Sequence, residues 1–233
     1  MTAEFILSEL QSIANPEKAS FLQRFFKTGK GQYAEGDVFL GITNPLTRNI
    51  AKANKQISQE EIQKLLDMPY HEARLAGVVI IVEQFKKASE ARRKELFELY
   101  IKNTSRINNW DLVDVTCPHV VGLYLLDKDR SILYDLADSS LLWDQRIAMV
   151  STVTFIRHKE YDDTLALAEK FFTHKHDLMH KAVGWMLREV GKKDKETLVD
   201  FLERNTIKMP RTTLRYAIEH FSAPERKHFM EMK

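Results

Sequence analysis

The chain has few of the residues that turn-rich and disulfide-stabilised folds need. Its 233 residues include eight glycines, six prolines and one cysteine. A β-sandwich or barrel requires more turn residues than this, so the composition favours helices joined by short loops. The single cysteine excludes an internal disulfide and any site with several cysteine ligands, and it is typical of a reducing compartment.

Long apolar runs and a strong charge imbalance are also absent. The longest apolar run, residues 76–82, is too short to cross a bilayer. The N-terminus lacks the basic and then apolar pattern of a signal peptide, so we expect a soluble, cytoplasmic protein. The formal net charge of +2 neither requires nor excludes nucleic acid as a partner. A nucleic-acid partner is indicated only if the positive charges gather on one face of the folded protein.

Helix-start signals recur along the whole chain. Proline follows Asn15 and Asn44 at the first helical position, and Ser58 and Ser222 open capping boxes. Between such signals, apolar residues follow helical spacing, and no segment shows clear strand-like alternation. We predict an all-α fold in which residues 29–37, with three glycines, form a loop or a small hairpin. The ten predicted caps are Asn15, Asn44, Ser58, Ser89, Asn109, Ser131, Asp163, Asp177, Asp194 and Ser222.

A weak internal repeat indicates how the helices are arranged. A basic residue stands one or two positions before an alanine at Arg74, Arg146, Lys181 and Arg215. The alanines are 72, 34 and 35 residues apart, so the unit is about 35 residues long and the first gap spans two units. Each unit would be a helix, a turn and a second helix, which cannot bury its apolar stripe without stacked neighbours.

This repeat predicts a HEAT-like α-helical repeat solenoid, a curved superhelix of antiparallel helix pairs. The length also suits tetratricopeptide repeats, but their Trp, Leu-Gly and Tyr pattern is absent. Nothing marks a linker, so we predict a single domain over residues 1–233. Because a solenoid needs only its own ends capped, a monomer is the simplest expectation.

Equivalent repeat positions line up along one face of a solenoid. The four basic residues of the repeat could therefore form a positive track for phosphates. Alternatively, some of them bond carbonyls or acids of the neighbouring repeat. Arg74 is the strongest candidate for this structural role.

The first candidate site is the pair Trp110 and Asp114, four residues apart on one face of a predicted helix. An indole face attracts a cation, and a carboxylate stabilises positive charge that develops on a sugar. The alternative is that Trp110 belongs to the core and Asp114 pairs with an arginine. Residue types alone favour this structural alternative.

The second candidate site is the segment from Lys181 to Arg188. Gly184 in mid-helix is costly relative to alanine and indicates a close approach at that point. Trp185 and Arg188 are three residues apart and share a face of the predicted helix. Lys181, two turns before Arg188, lies on the same face. An aromatic ring between two cations suits a nucleic-acid backbone. The alternative is a core tryptophan beside a solvated charged face, which is the more common arrangement.

Two further patterns do not support a site. His176 and His180 have the spacing of metal ligands, but no third ligand stands in a recognisable arrangement, so we predict no metal. Cys117 precedes Pro118 and His119, which does not define a nucleophile and base. Phosphate-binding glycine loops, nucleophile elbows and dinucleotide fingerprints are absent from the sequence.

Taken in order, these segments resemble the AlkD-type DNA alkylation repair proteins. The resemblance covers nearly the whole chain with the right order and spacing. The motifs that carry it are Phe39-Leu-Gly-Ile followed by Pro45 and Arg48, Trp110-Asp-Leu-Val-Asp114, Trp143-Asp-Gln-Arg146, and Lys181-Ala-x-Gly-Trp185-x-Leu-Arg188.

The resemblance implies a HEAT-like solenoid whose concave basic face holds duplex DNA. Members excise positively charged N3- or N7-alkylated purines without metal or cofactor, and they are thought to leave the lesion stacked. By this resemblance Trp110 and Trp185 contact the lesion's sugar and backbone, and Asp114 stabilises the sugar cation and positions water. The DNA contacts it implies, together with those of the basic repeat positions, are Arg48, Arg146, Lys181, Arg188 and Arg215.

Two departures from the family's pattern concern activity more than fold. Phe25 or Phe26 replaces a DNA-contacting tyrosine, and Phe25 is our candidate for that contact. Residues 29–37 look longer than in the best-known active members, and relatives with an insertion here bind branched DNA with little glycosylase activity. A non-catalytic binder of branched DNA and a protein-interaction scaffold therefore stay open as alternatives to a glycosylase.

Overall fold

The computed structural model describes residues 1–232, and the prediction of an all-α fold is confirmed. Within this range, one isolated bridge between Val38 and Tyr70 is the single strand-like pairing. The helices are α1 (Ala3–Ser12), α2 (Pro16–Phe25), α3 (Asn44–Ala53), α4 (Gln59–Asp67), α5 (His71–Phe85), α6 (Glu90–Lys102), α7 (Trp110–Asp114), α8 (Ser131–Asp138), α9 (Leu142–Ser151), α10 (Val153–Arg157), α11 (Asp162–Lys170), α12 (Asp177–Lys193), α13 (Lys195–Asn205), α14 (Arg211–Ala217) and α15 (Ala223–Glu231).

Six of the ten predicted caps accept a hydrogen bond from the first turn of their helix, and these are Asn15, Ser58, Ser89, Asn109, Asp194 and Ser222. The other boundaries differ by one or two residues. Thr43 precedes α3, and Ser131 is the first residue of α8. Asp163 and Asp177 lie inside the first turns of α11 and α12, where a carboxylate complements the positive end of the helix.

The chain divides into two compact units, residues 1–120 and residues 121–232. In the first, α3 and α4 pack on α5, whose apolar run from Leu75 to Val82 is buried throughout. In the second, α9, α13 and α14 pack on α12. The repeat alanines lie in α5, α9, α12 and α14, and all four are buried. A single domain over the whole chain stays a prediction. No helix in the described part of the chain is long and apolar enough to cross a membrane.

Residues 29–37 form turns rather than a hairpin, and the following segment is held tightly against α2. Gly41 has a φ of 83°. A β-carbon there would overlap the carbonyl oxygen of Asn15 and lie 2.6 Å from the backbone nitrogen of Ala19. The Asn15 amide donates to the Leu40 carbonyl at 2.9 Å. Only glycine therefore allows this segment to approach the first turn of α2 so closely.

We expect Gly41→Ala to lower the free energy of unfolding by at least about 1 kcal/mol more than Gly31→Ala does. Both substitutions force alanine into the left-handed region, but a β-carbon at Gly31 would meet no atom within 4 Å. The difference between the two variants therefore isolates the overlap with α2. Urea unfolding followed by circular dichroism measures it, and equal losses would show that α2 moves aside without cost.

Candidate functional site

Trp110 and Asp114 are the two ends of the short helix α7. Asn109 caps the helix by accepting from the Trp110 amide at 2.9 Å. The three residues between them are buried, whereas Trp110 and Asp114 are both partly exposed. The prediction that the two side chains share an accessible helix face is consistent with this pattern. Their catalytic role stays a prediction.

Trp110 belongs to an aromatic cluster formed by Phe25, Phe26, Phe39, His71 and Trp110. Phe26 stacks on Trp110 with ring centroids 5.2 Å apart, and Phe25 meets the same indole edge-on at 6.2 Å. On its other side Phe26 stacks on Phe39 at 5.0 Å, and Phe39 stacks on the His71 ring at 4.3 Å. The cluster joins the end of α2 and residue 39 to the starts of α5 and α7.

Beneath this cluster lies a buried chain of ion pairs centred on His71. Its Nδ1 lies 3.0 Å from Oδ2 of Asp37, and its Nε2 lies 3.0 Å from Oδ2 of Asp111. The other oxygen of Asp37 pairs with Arg74, which also donates to the Met68 carbonyl at 3.0 Å. All four ionic side chains are buried. The chain of contacts fastens α7 and residue 37 to the start of α5.

The two carboxylates keep His71 protonated. Burial alone lowers the pKa of the imidazole, but the charge of Asp111 and hydrogen bonds to Asp111 and Asp37 raise it to about 9. Burial raises the pKa of Asp37, but the His71 hydrogen bond and the Arg74 charge outweigh burial, so its pKa lies below the usual range. Since both ring nitrogens face carboxylate oxygens, His71 donates from both as an imidazolium.

The Phe39-Leu-Gly-Ile segment is positioned by the buried carboxylate of Glu72. This carboxylate accepts from the amides of Leu40 at 2.9 Å, Gly41 at 2.9 Å and Ile42 at 3.1 Å. Three charge-assisted hydrogen bonds hold the loop in one conformation and so orient Phe39 towards His71. This motif, noted in the sequence for its resemblance to a family, thus has a local structural role.

A cavity of about 410 Å³ adjoins the cluster within the first unit. Its walls come from one side of α2, residues 39–44 and the first turn of α5, and most of its lining is apolar. Phe21, Phe25, Phe26 and Phe39 contribute aromatic rings, and the exposed Lys18 is also part of the lining.

In the second unit, α12 carries Lys181, Trp185 and Arg188, and all three are partly exposed. Arg188 forms an ion pair with Glu219, and Lys181 pairs with Asp177 at 2.7 Å. A β-carbon at Gly184 would lie 2.5 Å from the Thr213 carbonyl oxygen. The close approach predicted at Gly184 is therefore confirmed, and the approaching element is α14.

The repeat-position cations divide into two groups. Arg74 bonds Asp37 and the Met68 carbonyl, and the buried Arg146 donates to the Leu178 carbonyl at 2.6 Å. These are the acid and carbonyl contacts that the sequence left open as the structural alternative. Lys181 is partly exposed and Arg215 is exposed, so both present charge to solvent. Arg48, on α3, is partly exposed.

The histidines near α12 make local contacts. His176 caps the helix by accepting from the Leu178 amide at 3.2 Å. The Nε2 of His180 lies 2.5 Å from the His174 carbonyl, and His174 meets the Gln145 side chain at 2.8 Å. No group of three or more potential metal ligands occurs among residues 1–232.

The sequence indicated a structural role for Arg74, but it did not predict the buried chain that Arg74 forms with Asp37, His71 and Asp111, or the role of Glu72. A signal was present, because charged residues interrupt the start of α5 just before a continuously apolar run. Such a run indicates a helix buried on all sides, and charged residues at its start then need buried partners.

Comparison with known proteins shows the family to which the chain belongs. Residues 6–221 match the model of a family described as DNA alkylation repair enzyme, and the chain belongs to this family. The family resemblance predicted from the sequence is confirmed. No curated protein matches the chain.

A solved structure described as a predicted DNA alkylation repair enzyme from Enterococcus faecalis has the same fold. The superposition has a TM-score of 0.70 and covers 90% of this chain and 97% of that chain, at 15% sequence identity. The prediction of an all-α, HEAT-like repeat solenoid is confirmed at the level of fold. Membership of the family indicates a role in DNA alkylation repair.

Proposed function

We propose that this protein is a DNA glycosylase that excises positively charged N3- and N7-alkylated purines from duplex DNA. The observation that carries the proposal is that Trp110 and Asp114, both partly exposed, lie four residues apart at the two ends of α7. A carboxylate and an electron-rich indole on one face suit a reaction whose transition state carries positive charge.

The chemistry follows from the substrate. An alkylated purine cation is already a good leaving group, so no acid is needed to protonate it. As the N-glycosidic bond breaks, its electrons pass to the purine and positive charge moves onto the deoxyribose. Asp114 stabilises that charge and orients the water that attacks the anomeric carbon, and the proton released by this water passes to solvent. Trp110 offers its ring face to the same cation.

The buried ion pairs support the same proposal because they hold α7 in place. Asp111, which His71 binds, is one residue from Trp110 and three from Asp114. A transition-state carboxylate stabilises charge effectively only when its position is fixed before the reaction. We propose that His71 and its partners give α7 this rigidity.

The remaining predicted site residues would bind the DNA. Trp185, which the sequence placed with Trp110 and Asp114 in the catalytic group, would pack on the lesion's sugar and backbone. Arg188, Lys181, Arg215, Arg48 and Arg146 would pair with phosphates, and Phe25 would contact DNA beside Trp110. For Arg188 the exposed carboxylate of Glu219 is a competitor that a phosphate must displace. For Arg146 binding requires that its guanidinium extend beyond the Leu178 carbonyl.

The test is release of free base from duplexes containing N7-methylguanine or N3-methyladenine, with EDTA present and no cofactor added. We expect release above the spontaneous rate, detected by chromatography of the free base and by cleavage at the resulting abasic site. If the protein binds DNA with a steep salt dependence but releases no base, it is a DNA-structure binder. If it does not bind DNA at moderate salt, the scaffold alternative holds.

A further inference from the structure

The cavity beside the aromatic cluster has the features of a small ligand site. We propose that it binds an unpaired nucleobase turned out of the DNA. The inference rests on the proposed function only in placing DNA against Trp110. It predicts a preference among unmodified DNA structures, which can be measured whether or not any base is excised.

The lining of the cavity matches a flat, aromatic and uncharged ligand. Its volume of about 410 Å³ lies in the range of roughly 300–1,000 Å³ that is usual for small-molecule sites. Four phenylalanine rings contribute to its walls. Every base presents a π face, so stacking on such rings is tolerant of base identity.

The two buried charged groups at the cavity, Glu72 and His71, already have partners. The carboxylate of Glu72 accepts from three backbone amides, and both nitrogens of His71 face carboxylates. Neither group therefore requires a charged ligand. A charged headgroup or a metal ion would find no unpaired complementary charge in the interior, whereas a neutral base can bury its ring faces there if its polar edge keeps hydrogen-bond partners.

The cavity is accessible from solvent beside Trp110. Phe21 is 58% exposed and Phe25 is 54% exposed, although both rings line the cavity. Two large apolar rings exposed side by side at a cavity indicate a surface that meets a partner. Phe25 also contacts the Trp110 indole, so the aromatic surface continues from the cavity to the proposed catalytic helix.

Polar residues also contribute to the lining, and they can bind the parts of a nucleotide that do not stack. Lys18 is exposed there and can pair with the phosphate of the displaced nucleotide. Thr43 and Asn44 also line the cavity, and the Thr43 hydroxyl makes no capping bond to α3. The Asn44 side-chain nitrogen already donates to Asp111 at 3.4 Å. The Thr43 hydroxyl and the remaining hydrogen-bonding capacity of the Asn44 amide can meet the edge of a base.

Three unmodified duplexes of one sequence test the proposal: fully paired, with a single bulged adenine, and with a single bulged abasic nucleotide. Affinity is measured by fluorescence anisotropy at one salt concentration. We expect the adenine bulge to bind about tenfold more tightly than the abasic bulge, because only the base can stack in the cavity. Equal affinity for the two bulges would show that the protein recognises the bend alone, and would overturn the proposal.

Substitutions at the cavity test whether the preference for the adenine bulge arises there. Phe21→Ala should reduce the preference for the base to less than about threefold, because it removes a ring from the cavity wall. Lys18→Gln should weaken binding of both bulges while preserving the preference. Phe5→Ala is the matched control, since Phe5 is 49% exposed on α1 and does not line the cavity. An unchanged preference in Phe21→Ala would place base recognition elsewhere. Circular dichroism checks that each variant is folded.

The glycosylase proposal and the base-site proposal can each be contradicted without affecting the other. If no alkylated base is released but the adenine bulge is preferred, the glycosylase proposal is wrong and the base site stands. If base is released but the two bulges bind equally, the base site is wrong and the glycosylase stands.

Discussion

Asp114→Asn is expected to slow the release of N7-methylguanine by about 100- to 1,000-fold, the usual range for removing one group that stabilises transition-state charge. Asparagine keeps the size of the side chain but removes its negative charge. It can no longer stabilise positive charge on the deoxyribose. The measurement is a single-turnover rate at saturating enzyme, with the spontaneous loss of the base subtracted.

The matched control for this variant is Asp67→Asn. Asp67 lies in the same unit, and its side chain is 50% exposed at the end of α4, where it pairs loosely with Arg106. This substitution makes the same change in net charge and should leave the rate within about twofold. Asp114→Asn should bind the lesion duplex at least as tightly as the original protein, because it carries one negative charge less. Equal rates for the original protein and Asp114→Asn would overturn the catalytic role of Asp114.

The second large effect is a loss of stability on raising the pH. The pKa of His71 is about 9 in the folded protein and about 6.5 in the unfolded chain. Between these values the folded state keeps a proton that the unfolded state has released, so raising the pH favours unfolding. The contribution is complete below about pH 6.5 and is lost as the pH rises through about 9. It corresponds to about 3 kcal/mol.

Urea unfolding at intervals between pH 6 and 9.5 measures this loss. In His71→Asn the protein should be less stable at pH 6.5, and this part of the pH dependence should disappear. His228→Asn is the control, because His228 is exposed on α15, where it contacts Glu203 and the Phe229 ring. It should keep the slope of the original protein. Parallel pH profiles for His71→Asn and the original protein would contradict the role assigned to His71.

The elements that the sequence predicted correctly depend on neighbouring residues. Caps such as Asn15 and Ser222 accept hydrogen bonds from amides three residues away, so they can be predicted without knowledge of the fold. A shared helix face for Trp110 and Asp114 can be predicted for the same reason, because residues four apart along a helix lie on one face. The four errors in cap position are small, because several polar residues compete at each helix start.

The buried ion pairs could not be predicted in the same way. His71 meets partners that are 34 and 40 residues away along the chain. The sequence around His71 does not indicate which carboxylates become its partners. Arg146 is the reverse case: its repeat position suggested a place on a positive track. In the structure Arg146 is buried and donates to the Leu178 carbonyl, 32 residues further along the chain.

By itself, therefore, the sequence determined the helical class, most helix starts, the repeat and the face shared by Trp110 and Asp114. Each of these follows from interactions within a few residues of one another. Only the tertiary structure decided which charges are buried with partners and which stay exposed to solvent. It also decided that phenylalanines of α2 border a cavity beside Trp110. Those outcomes depend on which helices pack together. A buried charge is costly unless it has a partner, and packing can supply that partner from a distant part of the chain.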